Sequence, residues 1–171
     1  SVGEEDGLNE GAYHSHVWIV DPLDGTANFL SGLPIFAVNV ALARDGEVIA
    51  GVTHVPMLGE TFWAERGGGA WLNGQAIRVS RREQLVQALL GVGIPFAGKP
   101  RHRQFYAEME RLTPRVTGIR RLGAGAVDMA YVACGRFDAC WEQSACAWDM
   151  AAGAILVTEA GGVVTDTLGQ P

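Results

Sequence analysis

The sequence of 171 residues has little cysteine and no long apolar run, and each absence excludes a class of protein. Its three cysteines, Cys134, Cys140 and Cys146, are odd in number and lack paired CxxC spacing, so neither a disulfide framework nor a zinc site is predicted. No stretch approaches the roughly 18 uncharged apolar residues of a membrane span. The first residues are acidic where a secretory signal would be basic and then apolar. We therefore expect a soluble cytoplasmic protein without a membrane partner.

Positive charge is missing from the first 24 residues, and this absence explains the net charge of the chain. Residues 1–24 contain six acids and no lysine or arginine, which equals the formal net charge of −6. Residues 99–121 lean the other way, with seven bases against two acids. A solvated basic face is the simpler interpretation of that segment, although it could attract an anion. Because the chain is acidic overall and has no recognisable nucleic-acid-binding motif, nucleic acid is not expected as a partner.

Apolar residues make up 48% of the chain, which is enough to build the buried core of one globular domain. Strands are predicted first: the apolar run at 17–20 is typical of a buried strand, and a hairpin is expected to turn at Asp45-Gly46. A second turn is predicted at Asn73-Gly74. In the first hairpin arm, large side chains share one face, and small ones share the other and permit close approach of another layer. The small face consists of Ala37, Asn39, Ala41 and Ala43.

Helices are predicted in the second half of the chain. Apolar residues recur at helical spacing in three segments, within 100–112, 127–134 and 152–156. The pair Gly161-Gly162 is expected to stop the last of these helices. We find no repeat, low-complexity stretch or linker, so residues 1–171 are predicted to form a single α/β domain.

Two acids, Asp21 and Asp24, stand three positions apart in the segment DPLDGTANF, where a predicted strand ends. Pro22 cannot continue a strand ladder and Gly25 permits a sharp turn, so both carboxylates project from one tight turn. Two carboxylates about 4 Å apart repel by roughly 4 kcal/mol at an effective dielectric of 20, which favours protonation of one or binding of a cation. Oxygen ligands suit a hard ion such as Mg²⁺. For this segment alone, a simple turn with Asp21 as a cap is the alternative interpretation.

Three motifs occur in a fixed order: GEE at 3–5, DPLDGTANF at 21–29, and WDMAAG at 148–153 followed by EAGG at 159–162. Together with GVTHVP, ERGGGAWLNGQ and RRLGAGAVDMAYVACGRFDACWE, they resemble the inositol monophosphatase family of magnesium-dependent, lithium-sensitive phosphatases. The resemblance spans essentially the whole chain. It implies a layered αβαβα sandwich of the inositol monophosphatase and fructose-1,6-bisphosphatase type, with largely antiparallel sheets, and it implies a homodimer.

The resemblance also implies a carboxylate site for two or three Mg²⁺ ions. Glu4 would bind the activating metal and contact the attacking water. Asp21 would bridge two ions, and the backbone carbonyl of Leu23 would complete the first metal site. Asp24 and Asp149 would hold the second metal.

A substrate site is implied beside these metals. The backbone N–H groups of Gly25 and Thr26 would face the phosphate, and the hydroxyl of Thr26 would help to orient the attacking water. Glu142 would accept hydrogen bonds from substrate hydroxyls, although a glutamate at this position could instead anchor an arginine. The implied substrate-binding residues are Gly25, Thr26, Gly123, Ala124, Gly125 and Glu142.

The expected reaction is hydrolysis of a small phosphate ester by direct attack of a metal-activated water, without a phosphoenzyme. Inositol 1-phosphate represents the favoured substrate class, the polyol phosphates. Histidinol phosphate, fructose 1,6-bisphosphate and nucleotide 3′-phosphates are rival substrates, and the letters TANF favour the inositol-like branch over the nucleotide branch. A non-catalytic fragment that binds a metal or an anion is the alternative of a different class.

The chain departs from the family pattern in two respects. Ala124 stands where some members have serine or threonine, which removes one possible hydroxyl contact to the substrate. Members also usually begin several dozen residues before GEE, with helices that include an acid partnering the turn threonine, and continue past DTLGQP. We therefore expect that the chain is truncated at both ends.

Three other patterns have simpler interpretations. Gly123-Ala124-Gly125 could begin a dinucleotide-binding fingerprint, but Asp128 stands where its third glycine or alanine should be. The three glycines at 67–69 lack the Lys-Ser/Thr of a P-loop, so a hairpin loop is predicted there. His14 and His16 are interpreted as surface histidines rather than as metal ligands.

Overall fold

The computed structural model describes residues 2–3, 7–8, 15–95, 98, 100–143 and 145–170. Eight strands form a first sheet, sheet A: β1 Val2–Gly3, β2 Gly7–Leu8, β3 His16–Asp24, β4 Ala37–Arg44, β5 Glu47–Val55, β6 Glu60–Glu65, β7 Gly69–Leu72 and β8 Gln75–Ile77. Their order across the sheet is β2-β1-β3-β4-β5-β6-β7-β8. Neighbours from β3 to β8 pair antiparallel, whereas β1 pairs parallel with β3.

A second sheet, sheet B, contains β9 Leu89–Val92, β10 Gly118–Arg120 and β11 Ala139–Trp141 in the order β10-β9-β11. The α-helices are α1 Thr26–Leu30, α2 His102–Leu112, α3 Gly125–Ala133 and α4 Ala147–Glu159, and short 3₁₀ turns occur at Pro56–Leu58, Leu85–Gln87 and Thr113–Arg115. No described helix has both the length and the apolar character needed to cross a membrane.

Sheet B differs from the largely antiparallel arrangement that the resemblance implies, because both of its strand pairs are parallel. The connections explain the difference. Helix α2 lies between β9 and β10 in the sequence, and α3 lies between β10 and β11. Crossovers that contain a helix join parallel strands, whereas a short turn joins antiparallel ones. The larger sheet A is antiparallel across its strands β3 to β8, as expected.

The predicted hairpin turns are confirmed. Asp45 and Gly46 have φ values of 53° and 85°, and Asn73 and Gly74 have φ values of 48° and 79°. These left-handed conformations match the turns that best fit the twist of two-residue hairpins. Residues 66–68 connect β6 to β7 as a loop, so the hairpin interpretation of the glycine cluster is also confirmed.

Helix α4 lies against the small face of β4, as the sequence pattern predicts. Ala37 and Ala41 are buried there, and Ala41 packs with Ala151 and Ala152 of α4. The opposite face of β4 is less covered by the described residues, since Val38 remains 37% exposed. Small side chains therefore set the distance between sheet A and α4.

Helix α4 also lies against α3, which places the first turns of both helices near one end of sheet A. A Cβ atom at Gly153 would lie 2.7 Å from the Cβ of Met129 on α3, so only glycine permits this approach. The helix ends at Glu159, where Gly161 N–H and Gly162 N–H donate to the carbonyls of Thr158 and Val157. The predicted glycine stop is thus confirmed.

Candidate active site

Asp21 lies near the end of β3, and its register explains its burial. It pairs with Asn39 of β4, which belongs to the buried small face, and Asp21 itself is only 1% exposed. Paired residues of neighbouring strands project to the same face, so Asp21 projects toward the side covered by α4. Its Oδ1 accepts a hydrogen bond of 2.9 Å from the Leu23 N–H. The pairing of β3 with β4 shifts register between Asp21 and Asp24, which marks the start of the turn.

Asp24 joins this turn to α3. Its Oδ2 accepts a 2.9 Å hydrogen bond from the N–H of Ala126, in the first turn of the helix. The pKa of Asp24 is raised from 3.8 to about 7; burial is the largest cause, the charges of Asp21, Glu142 and Asp149 add to it, and the hydrogen bond from the Ala126 N–H opposes it. Acids that are far apart in the sequence therefore surround Asp24, and together they disfavour its ionised form in the absence of a cation.

Asp149 is the third residue of α4. One of its oxygens, Oδ2, accepts a 2.7 Å hydrogen bond from the N–H of Cys146, the N-cap residue, in a capping-box arrangement. An acid at this position also interacts favourably with the positive end of the helix dipole. Asp149 therefore lies in the first turn of α4, at the N-terminus of the helix.

The two turns predicted to contact the substrate meet directly at Gly25. Gly25 has a φ of 85°, and a Cβ atom there would lie 3.1 Å from the Cβ of Ala124 and 3.3 Å from the carbonyl oxygen of Gly123. A side chain at position 25 would thus be strained by its backbone and crowded by its neighbours. Glycine at this position allows the Gly25-Thr26 turn to contact the turn before α3, at Gly123 and Ala124.

Thr26 begins α1, and its hydroxyl donates a 2.9 Å hydrogen bond to the carbonyl oxygen of Leu23. The resemblance assigns a different role to each of these groups: the Thr26 hydroxyl would orient the attacking water, and the Leu23 carbonyl would bind a metal. The carbonyl retains a second lone pair and the hydroxyl oxygen can still accept, so neither predicted role is blocked.

Asn28 is a residue that the sequence patterns did not identify. It is 4% exposed, and its Nδ2 donates to the carbonyl oxygens of Ile35 at 2.6 Å and Leu122 at 2.8 Å. Its amide therefore fastens α1 to the turn that precedes α3. The sequence shows an asparagine close to the Gly25-Thr26 turn, but no local pattern indicates that its amide contacts Leu122, which is distant in the sequence.

Replacing Asn28 with alanine is expected to lower the free energy of unfolding by about 2 kcal/mol, because two partly buried carbonyls lose their donor. Urea denaturation of the wild-type and variant proteins measures the loss. Ser31→Ala, at the exposed residue that follows α1, provides the control and is expected to change stability by less than about 0.5 kcal/mol. Equal stabilities for Asn28→Ala and the wild type would contradict a fastening role for the amide.

Glu142 follows β11 and lies between two glycines of other elements. A Cβ atom at Gly125 would lie 2.3 Å from its Oε2, and one at Gly93 would lie 2.7 Å from its Cδ. The residue nevertheless remains exposed to solvent. The glycines therefore make room for a carboxylate at the first turn of α3, where a ligand could reach it.

A cavity of about 590 Å³ lies among these elements. Its size falls in the range of small-molecule sites, which is about 300–1,000 Å³. Asp21 and Leu23 are not among its lining residues, and Glu4 lies outside the described residues. The predicted site residues that line the cavity are Asp24, Gly25, Thr26, Gly123, Ala124, Gly125, Glu142 and Asp149.

A model of the inositol monophosphatase family matches residues 1–171. The chain belongs to the inositol monophosphatase family. It is 50% identical over 166 residues to the inositol-1-monophosphatase of Caulobacter vibrioides, a match that covers 96% of this chain and 65% of that protein. It is 44% identical over 172 residues to the fructose-1,6-bisphosphatase/inositol-1-monophosphatase of Thermotoga maritima, with 99% of this chain and 63% of that protein covered.

The fold is that of the family as well. The crystal structure of the extragenic suppressor protein suhB from Bartonella henselae matches with a TM-score of 0.96 and 46% sequence identity, over 99% of this chain and 66% of that chain. The chain thus spans about two thirds of the length of these relatives.

Members of the inositol monophosphatase family are metal-dependent phosphatases that usually use Mg²⁺. The donor chemistry here fits such an ion, because the charges that raise the pKa of Asp24 are all carboxylates. Asp21, Asp24 and Asp149 each have one carboxylate oxygen that accepts a hydrogen bond from a backbone N–H. Among the residues that the structure describes, no three His, Cys, Asp or Glu side chains form a group that could hold a metal ion.

Asp128 is a second residue that sequence reasoning did not assign to the site. It is 4% exposed on α3, and its Oδ1 has no hydrogen-bond partner in the described part of the chain. The pKa of Asp128 is raised from 3.8 to about 7; burial is the largest cause, the charges of Glu142 and Asp24 add to it, and Arg121 opposes it. Asp128 lines both the 590 Å³ cavity and a neighbouring cavity of about 630 Å³. Asp128 therefore adds an acidic side chain of α3 to the surroundings of Glu142.

Proposed function

We propose that this protein is a Mg²⁺-dependent phosphomonoesterase that hydrolyses a small polyol phosphate such as inositol 1-phosphate. The observation that carries the proposal is the convergence of distant carboxylates and two glycine turns on one cavity. Asp24 and Asp149 line that cavity together with the Gly25-Thr26 turn and Glu142. Membership of a phosphatase family supports the same conclusion.

The carboxylates are proposed to hold the metal. Asp21, Asp24 and Asp149 come from two elements, β3 and α4, and a backbone N–H orients each of them. The carbonyl of Leu23 and the carboxylate of Glu4 complete the proposed ligand set. When bound, the two or three ions supply an activated water and stabilise charge on the leaving oxygen.

The remaining residues are proposed to bind and orient the ester. The N–H groups of Gly25 and Thr26 face the phosphate, and the Thr26 hydroxyl helps to orient the attacking water. Glu142 accepts hydrogen bonds from hydroxyls of the alcohol. Gly123, Ala124 and Gly125 offer backbone and a small side chain, so they shape the cavity around that alcohol without filling it.

Fructose 1,6-bisphosphate is the second candidate substrate, and the combined name of the Thermotoga maritima relative favours it. Histidinol phosphate and nucleotide 3′-phosphates remain rivals in the same reaction class. The single domain over residues 1–171, the homodimer, the lithium sensitivity and the cytoplasmic location stay predictions of the sequence.

Phosphate release from a panel of esters tests the proposal. The panel contains inositol 1-phosphate, histidinol phosphate, fructose 1,6-bisphosphate and adenosine 3′,5′-bisphosphate, each assayed with Mg²⁺, with EDTA, and with Mg²⁺ plus Li⁺. We expect release from inositol 1-phosphate that requires Mg²⁺ and falls when Li⁺ is added. Release that continues unchanged in EDTA would contradict the metal mechanism. Absence of release from every ester would favour a non-catalytic metal- or anion-binding fragment.

A further inference from the structure

A row of three buried polar side chains crosses sheet A. Asp21 of β3 pairs with Asn39 of β4, and Asn39 pairs in turn with Thr53 of β5. Asp21 and Asn39 are each 1% exposed, and Thr53 is fully buried. Paired residues of neighbouring strands project to the same face, with Cβ atoms roughly 4.5–5.5 Å apart. The three side chains are therefore immediate neighbours on the face that α4 covers.

Asn39 is a polar residue on a face of β4 that is otherwise built from alanine. Ala37 and Ala41, two positions before and after it, are both buried. The packing of α4 requires only small side chains on this face, and alanine supplies them. A buried amide lowers stability unless its groups find hydrogen-bond partners. Packing alone therefore does not explain an asparagine at position 39.

The two ends of the Asn39 amide differ in their contacts. Its Oδ1 accepts a 2.9 Å hydrogen bond from the hydroxyl of Thr53. Its Nδ2 is buried and has no hydrogen-bond partner in the described part of the chain. The Thr53 hydroxyl therefore holds the oxygen of the amide, and the group that remains for another neighbour is a donor.

Asp21 is the paired neighbour that can accept from this donor. It lies on the other side of Asn39 from Thr53, because β4 stands between β3 and β5 in the sheet. Its Oδ1 accepts a hydrogen bond from the Leu23 N–H. The two oxygens of an ionised carboxylate offer about four acceptor sites, so this contact does not exclude a further donor. The amide of Asn39 and the carboxylate of Asp21 are thus chemically complementary.

Hydrogen bonds to a ligating carboxylate fix its direction and influence how tightly the metal is bound. We propose that Asn39 is a positioning residue for Asp21: its Nδ2 donates to the carboxylate when Asp21 binds Mg²⁺, and the Thr53 hydroxyl holds the amide in place. Neither Asn39 nor Thr53 contacts the metal or the substrate in this role. The inference rests on the proposed function, in which Asp21 is a metal ligand, and it adds two supporting residues from β4 and β5.

Threonine and valine at position 39 form a matched pair of variants. Both side chains are β-branched, they have the same shape, and both suit a strand. Asn39→Thr keeps an O–H donor beside Asp21, whereas Asn39→Val has no donor. If Asn39 only fills space, the two variants will bind Mg²⁺ with similar affinity. If Asn39 positions Asp21, they will differ.

Isothermal titration with Mg²⁺ alone, without substrate, measures this difference. We expect Asn39→Val to bind Mg²⁺ about 10–100-fold more weakly than the wild type, the usual cost of losing a group that supports a metal ligand. Asn39→Thr is expected to stay within about threefold of the wild type. Thr53→Val, which removes the hydroxyl that holds the amide, is expected to weaken Mg²⁺ binding by about threefold.

Phe62→Leu is the control for a loss of stability. Phe62 pairs with Thr53, is fully buried and carries no polar group. The variant is expected to unfold at a lower temperature while its Mg²⁺ affinity stays within about twofold of the wild type. Thermal unfolding in EDTA identifies any variant at position 39 that does not fold, and Thr53→Val then decides the test.

The outcomes separate this inference from the proposed function. Equal weakening by Asn39→Val and Asn39→Thr would overturn the inference, because the loss would then follow the change of shape rather than the lost donor. Unchanged Mg²⁺ affinity in Asn39→Val and Thr53→Val would also overturn it and would leave the proposed function intact. If Mg²⁺ affinity depends on the donor but the wild type hydrolyses no ester, the inference stands and the proposed function fails. A wild type that binds no Mg²⁺ would overturn both.

Discussion

Replacing Asp24 with asparagine is expected to remove Mg²⁺-dependent phosphate release while making the metal-free protein more stable above neutral pH. The activity is expected to fall by about 10³-fold or more, because loss of one ligand removes several kcal/mol of transition-state stabilisation. Asparagine keeps an oxygen that can accept the N–H of Ala126, so the turn and α3 stay joined. The loss of activity would therefore result from the missing charge of Asp24 rather than from a change in the local structure.

The gain in stability follows from the direction of the pKa shift. The pKa of Asp24 is raised from 3.8 to about 7 in the folded protein, so the folded state holds a proton that the unfolded state releases near pH 4. The free energy of unfolding then falls as pH rises from about 4 to 7 and stays low above that range. Asparagine has no charge to bury, and at pH 8 the variant is expected to be about 2 kcal/mol more stable than the wild type.

Urea denaturation in EDTA at pH 5 and pH 8 measures this effect, and the advantage of Asp24→Asn is expected to grow with pH. Mg²⁺ should stabilise the wild type and have little effect on the variant, since a ligand stabilises only the state that binds it. Glu83→Gln removes one exposed charge and serves as the control. A variant that is less stable than the wild type at pH 8, or that keeps its Mg²⁺-dependent activity, would contradict the assignment.

Replacing Gly51 with valine is expected to lower the free energy of unfolding by about 3 kcal/mol, because β5 and α4 leave no room for a side chain. A Cβ atom at position 51 would lie 2.7 Å from Cγ2 of Ile155 and 2.9 Å from the α-carbon of Ala152. The second contact is with backbone, so α4 itself would have to move. Because α4 carries Asp149, phosphate release is expected to fall along with stability.

The midpoint of urea denaturation measures the cost, and Gly51→Ala should give a smaller loss in the same direction. Val52→Ala changes the opposite face of the same strand at a position that is 37% exposed, and it is expected to cost less than about 1 kcal/mol. If Gly51→Val were as stable as Val52→Ala, the close approach of α4 to sheet A would not be a constraint on the fold.

Local sequence determines the turns and the small face because the physical cause lies within a few residues. The pairs Asp45-Gly46 and Asn73-Gly74 tolerate positive φ, so they predict hairpins without knowledge of the rest of the chain. The alternation from Ala37 to Ala43 likewise identifies the face on which α4 packs. The parallel arrangement of sheet B was not predicted, because it depends on how two crossovers pass over the sheet.

The candidate site was likewise only partly predictable from the sequence. The segment DPLDGTANF by itself predicts two carboxylates at a tight turn, and the order of three motifs predicts the family, which the comparison confirms. Glu4 lies outside the described residues, and the roles of the site residues stay predictions.

Only the tertiary structure decided which residues surround those carboxylates. The N–H of Ala126 reaches Asp24 across 102 positions of sequence, and Asn28 reaches Leu122 across 94. Glu142 occupies the space that side chains at Gly93 and Gly125 would fill. Arg121 lines the cavity, whereas Arg120 does not. Such contacts join residues that share no local pattern, so their partners emerge only when the sheets and helices have packed. The sequence by itself therefore determined the family and the chemical groups of the site, and packing decided the charges and glycines that surround them.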